Sequence, residues 1–302
     1  MENRGMTVLA LTQWRDLEAA HEARVDAATE AHRRRRALGE KHPTEDFLFT
    51  YYPTTPTRLR RWHPGLGVGL DRAAGLPRAS WRFYGADDQI VSVDASALAT
   101  SRAEGIRFVR DLLSAVDGRE PQLGCFALHE WAMVYRLPAE QVRHTQLPLR
   151  LGPAGTDAVV ESHSLRCTHI DAFRFFTPEA VPRNALQPRR DTQVALDQPG
   201  CLHAGMDLYK WATKLTPAVP SELVMDCFDL ARDLRRLDMQ ASPYDVTVLG
   251  DEPILIETPV GKADYLAALH PLMTRAAAVR RRLLTVCDAL LQVASGVPIV
   301  RG

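Results

Sequence analysis

Three short stretches set ionisable side chains into apolar surroundings. SLRCTHIDAFRFF (164–176) holds His169 and Asp171 two residues apart, ALHEWAMVY (127–135) holds His129 beside Glu130, and CLHAGMDLYKW (201–211) holds His203 and Asp207 four apart. Buried acids and imidazoles are costly unless paired, protonated or metal-bound, so three such insertions close in sequence are expected to converge on one cavity. As a strand, 164–176 would alternate its side chains and place Cys167, His169, Asp171 and Phe173 on one face. As a helix, 201–211 would project His203 and Asp207 from one face, one turn apart.

Two chemistries fit that convergence. In the first, His169, Asp171 and His203, with His129 as a further ligand, form a set that leaves open positions on ferrous iron or holds zinc with one water. Glu130, Asp207 and His163 would then act as general bases or orient the imidazoles. In the second there is no metal, and a carboxylate (Glu130, Asp171 or Asp207) is the general base on water, its pKa tuned by an apolar surround. Tyr135, Phe173, Tyr209 and Trp211, with Phe175 and Phe176, would stack a planar substrate, and Lys210 and Arg174 could grip an anionic group. A third reading needs no chemistry: the polar residues satisfy one another inside a binding or structural protein. Cys167 and Cys201, beside the histidines, read as small buried hydrophobes rather than nucleophiles. HPTEDF (42–47) adds His42, Glu45 and Asp46 as a loop anchor or an extension of the site.

The elements that must position these residues are mostly helical. An amphipathic helix is expected over about 12–38, capped by Thr12 and ended by Gly39, and the aromatics Phe47, Phe49, Tyr51, Tyr52 and Trp62 follow in a Pro- and Gly-broken stretch. Residues 80–94 read as a hairpin, and 101–116 as a helix with Ser101 as cap and Glu104 at the capping-box position. Further helices are expected over 123–136, 155–163, from Cys201 to before Pro217, from Ser221 to about Met239 and from about Lys262 to Ala294. Arg235 and Arg236 would complement the dipole of the penultimate one. PILIET (253–258) reads as a strand. The expected fold is mainly α with a few short β-strands (α+β), a single compact domain over 1–302 whose active-site region is 123–215.

Composition narrows the partners. Lys plus Arg equal Asp plus Glu at 37 each, so no global basic field draws the chain to nucleic acid or an anionic membrane. A DNA role would need a local patch, for which His32–Arg36 and Arg280–Arg282 are candidates, each otherwise a solvated helix face. Five cysteines without a CxxC pair suit a reducing, cytoplasmic setting, and no apolar run approaches the roughly 18 residues of a membrane span. G-x-G-x-x-G, Walker, G-x-S-x-G and HExxH patterns are all missing.

KHPTEDFLFTYY, GCFALHEWAMVYR, CTHIDAFRFFTP and QPGCLHAGMDLYKW together resemble an actinobacterial family labelled 3-methyladenine DNA glycosylase, over about residues 40 to 270. The resemblance implies a monofunctional enzyme that hydrolyses the N-glycosidic bond of an alkylated purine, a modified-base substrate. It carries over no residue roles. From the residues themselves the alternative is a non-haem iron oxygenase or zinc hydrolase with one divalent metal and a small-molecule substrate.

Overall fold

Apolar spacing and cap chemistry decide where the long helices begin and end. In the computed structural model, which describes residues 6–138, 141 and 146–295, the chain is mainly α with one small mixed sheet. The order is β1 (Thr7–Leu9), α1 (Leu11–Leu38), α2 (Phe47–Tyr51), α3 (Pro56–Leu59), β2 (Val68–Leu70), β3 (Tyr84–Asp87), β4 (Ile90–Val93), α4 (Ala95–Asp117) and α5 (Leu128–Ala132). It continues with α6 (Gly152–Ser162), α7 (Ile170–Phe173), α8 (Gln193–Leu196), α9 (Leu202–Lys214), α10 (Ser221–Gln240) and α11 (Pro259–Ala294).

Helix α9 lies at the centre: every residue from Leu202 to Tyr209 is buried, the signature of a helix enclosed on all sides. It packs against α10, and α11 runs along both α10 and α4. The sheet order is β1-β2-β4-β3, with β1 parallel to β2 (Thr7 opposite Val68) and the β3–β4 hairpin antiparallel (Asp87 opposite Ile90). Leu70 and Val91 from this sheet join Trp14 and Trp62 in a second, smaller core. No helix among the described residues is long and apolar enough to cross a membrane.

Several local expectations are corrected. Helix α1 starts at Leu11 after Ala10, whose N–H is taken by the Gln13 side chain at 3.0 Å, so Thr12 is not its cap. Helix α4 starts earlier than Ser101, on Asp94, whose carboxylate accepts from Ala97 N–H at 2.9 Å. The chain instead kinks at Arg102 (φ −126°, ψ 21°). Residues 253–258 form no strand; they run irregularly to Thr258, the side-chain cap of α11. The expected helix over 123–136 shrinks to α5, because Phe126 and Ala127 adopt left-handed conformations (φ 45° and 56°) that no helix propagates through.

The expected strand over 164–176 is also absent. Leu165 makes an isolated bridge to Asn184, whose side chain accepts from Cys167 N–H at 2.7 Å and donates to Cys167 O at 3.0 Å. One amide thus satisfies the backbone without a partner strand. The chain then enters α7, with His169 at the N-cap position and Asp171 in the first turn.

Candidate functional site

Helices α5, α9 and α10, with the His169–Asp171 corner, bring the charged residues into two linked networks. In the first, His129 Nε2 donates to Asp238 Oδ1 at 2.8 Å, and Arg235 Nη1 donates to Asp238 Oδ2 at 2.7 Å and to Glu130 Oε1 at 2.6 Å. All four side chains are buried. In the second, Lys210 Nζ donates to Asp207 Oδ2 at 2.7 Å and to Asp171 Oδ2 at 3.2 Å, and Tyr52 Oη donates to Asp207 Oδ1 at 3.1 Å. His169 Nε2 stands 3.4 Å from Asp207 Oδ2 and 3.9 Å from Asp197 Oδ2, and neither of its ring nitrogens makes a hydrogen bond among the described residues.

His203 lies between the networks, its ring centroid 4.6 Å from that of His129 and 5.4 Å from that of His169. Its buried Nδ1 has no hydrogen-bond partner among the described residues. One ligand atom each from His129, His203 and Asp238 lie within 4.8 Å of one another.

Environment drives the three imidazoles apart in protonation. Burial alone would lower the pKa of His129, but the Asp238 carboxylate and its hydrogen bond override that and raise it well above the usual value. His169 is likewise raised against burial, by Asp207 and Asp197. His203 is pushed far down, first by burial and then by the positive charge of His129 and His169. Without metal, the surroundings therefore favour the protonated form at His129 and His169 and the neutral form at His203. Burial would raise Asp207 too, yet His169 and Lys210 hold it well below the usual carboxylate range. Asp197 is raised, with burial the dominant cause.

Above these groups lies a cleft of about 740 Å³. Phe47, Tyr51 and Phe175 line it, together with Glu130, His203, Arg235 and Asp171. His203 thus stands beside the His129–Asp238 pair and lines the cleft.

The expected residues distribute unevenly. His129 and His203 meet with ligand spacing, whereas His169, Asp171 and His203 do not form such a group among the described residues. Asp171 turns to cations: Arg190 Nη2 at 2.8 Å, Lys210 Nζ at 3.2 Å and Arg174 Nε at 3.4 Å. Against burial, Arg190 and Lys210 lower its pKa. Glu130 pairs with Arg235, and Asp207 with Lys210. Of the expected stacking residues, Tyr135 donates to Glu161 at 2.8 Å, Phe173 packs on Phe176, and Tyr209 is core between Tyr52 and Phe228. None of these three lines a described cavity, whereas Lys210 and Trp211 line a second one and Phe175 lines the cleft. His163 bonds Val159 O at 2.7 Å, on α6. Asp46 is bonded by Arg35 and His32, and Glu45 by Arg35, a loop anchor on α1.

Asp238 escapes the sequence reading, and Arg235, Tyr51 and Tyr52 enter it only as a helix-end charge and as aromatics, without a place in the site. Arg235 and Asp238, three apart on an amphipathic helix, look like an exposed ion pair, yet both are buried and face Glu130 and His129. The available signal is the apolar spacing of α10, on which both positions fall near Leu234 and Met239, inside the buried stripe. The basic runs prove mostly paired: Arg33 with Asp26, Arg35 with Glu45 and Asp46, Arg280 and Arg281 with Asp117, Arg282 with Asp226. Comparison with family models, curated proteins and solved structures yields no match.

Proposed function

We propose that the chain is a metal-dependent enzyme in which His129, His203 and Asp238 hold one divalent cation, zinc or ferrous iron, at the floor of the aromatic cleft. The observation that carries this reading is the convergence of three buried ligand atoms within 4.8 Å, from three helices, with one of the three residues facing the cleft. Two imidazoles and one carboxylate suit zinc or ferrous iron, and three protein ligands leave a coordination position for water or substrate. When bound, the cation would polarise a substrate oxygen or activate a water.

The chain's own groups complete the arrangement. Arg235 grips the Asp238 oxygen not bonded to His129 and so fixes the carboxylate, as outer partners of metal ligands do. Burial favours the neutral form of His203, the form a ligand requires, whereas Asp238 favours the protonated form of His129, whose proton would leave on loading. Tyr51 and Phe175 line the cleft and give a planar substrate aromatic surface to pack against.

A second reading, hydrolysis of an N-glycosidic bond on a modified base without metal, is favoured by the position of Asp171 on the aromatic cleft. Its three cations make Asp171 a weak base, however, since a general base works best with a pKa near the operating pH. Elemental analysis of protein purified without chelator, paired with an excision assay on methylated DNA, separates the two. Stoichiometric zinc or iron that is lost from His203→Ala supports the metal reading. Metal-free protein that excises methylated bases and ignores chelator overturns it.

A further inference from the structure

On the other side of Asp171 lies a second cavity of about 660 Å³, which the metal reading does not use. Its charged lining is lopsided: Arg58, Arg102, Arg190, Lys210 and Lys214 face a single carboxylate, Asp171. That carboxylate is already shared by Arg190 and Lys210. Arg58, Arg102 and Lys214 make no ion pair among the described residues, whereas Arg24, Arg60, Arg275 and Arg282 elsewhere each hold at least one acid.

Cations of like sign gathered in a cavity repel one another, and the fold tolerates that here by using backbone instead of acids. Arg102, delivered by the kink in α4, donates through Nη1 to Lys214 O at 2.6 Å and Thr216 O at 3.2 Å. Burial, then the nearby Arg82 and Arg58, hold its pKa below the usual arginine value. The Lys210 and Lys214 ammonium groups lie 4.5 and 5.1 Å from the centroid of the Trp211 ring, which presets both without neutralising them. Part of the lining is apolar, built from Ile106, Phe108 and Val109, and Gly105 leaves open space beside it.

We infer that this cavity binds a small organic phosphate, its phosphoryl group held by Arg58, Arg102 and Lys214 and its apolar body against Ile106, Phe108 and Val109. A phosphate dianion supplies the negative charge that Arg58, Arg102 and Lys214 lack, and acceptor oxygens for the guanidinium N–H groups that the two backbone carbonyls do not take. A nucleic-acid strand fits less well, because tracking a backbone takes a basic stripe along a surface and the chain has no net positive charge to support one. The inference does not depend on the metal centre.

Titration calorimetry with phenyl phosphate and with inorganic phosphate tests it, on wild type, on Arg58→Gln/Lys214→Gln and on the control Arg33→Gln/Arg34→Gln. Arg58 and Lys214 are both exposed, so the first variant keeps its fold, which its thermal midpoint verifies. The expected result is that phenyl phosphate binds wild type more tightly than inorganic phosphate does. Affinity should fall at least about tenfold in the cavity variant and change less than about twofold in the control. The inference is overturned if phenyl phosphate does not bind wild type, or if both variants weaken it equally. It is equally overturned, in favour of a nucleic-acid groove, if a single-stranded oligonucleotide binds through Arg58 and Lys214 while phenyl phosphate does not.

Discussion

His203→Leu separates a ligand from a structural residue, because the two roles predict opposite signs of stability change. The imidazole is 5 % exposed, its Nδ1 has no partner among the described residues, and its protonation is opposed first by burial and then by His129, His169 and Arg235. An unsatisfied buried polar atom costs about 1–3 kcal/mol. Leucine has similar volume and no polar atom, so it removes that cost. It also forfeits the edge-on contact with the His129 ring, worth about 0.5–1.5 kcal/mol. The balance favours the variant: metal-free His203→Leu should be about 1 kcal/mol more stable than metal-free wild type. With a denaturant slope of about 2–3 kcal/mol per molar, the urea midpoint should rise by a few tenths molar. The same variant should lose its metal entirely. Urea unfolding after chelation and elemental analysis of the untreated protein read both quantities. The reasoning is refuted if the chelated variant is destabilised by more than about 1 kcal/mol, or if it retains stoichiometric metal.

Two further outcomes test the framework that carries the site. A Cβ at Gly261 would stand 2.1 Å from the Leu255 carbonyl oxygen, so Gly261→Ala should destabilise by about 1–3 kcal/mol in urea unfolding, although alanine improves helix propensity by up to about 1 kcal/mol; an unchanged or raised midpoint would show that the entry to α11 yields freely. His63 is held neutral by burial and by Arg78, its pKa pushed from 6.5 down to about 3. The unfolded chain gains a proton below pH 6.5 that the native state refuses, so this residue removes about 1.4 kcal/mol of stability per pH unit between 6.5 and its native value. Comparing the acid limb of stability in wild type and His63→Gln measures that slope, and equal slopes would mean that His63 titrates normally.

The mainly helical architecture with few strands was legible because α9, α10 and α11 carry long apolar periodicities bounded by Pro199-Gly200, Pro217 and Pro259. The convergence of His129 and His203 was legible for an energetic reason, since ionisable groups inside apolar helices must find one another. The His169–Asp171 corner was misread because a period of two over thirteen residues looks the same whether a partner strand or the Asn184 side chain satisfies the backbone. Asp238 and Arg235 stayed hidden because an ion pair on a helix face has one spelling whether it meets solvent or Glu130 and His129. Arg58, Arg102 and Lys214 lie too far apart in the chain for any window to join them; the packing of α3, α4 and α9 around one cavity brings them together.

Tyr52 meets Asp207 across 155 positions, and His129 meets Asp238 across 109. Contacts that close such long loops belong to the finished topology and to no segment of it. The centre therefore cannot pass between proteins as a cassette of adjacent residues. It can be inherited, or lost, only together with the architecture that assembles it.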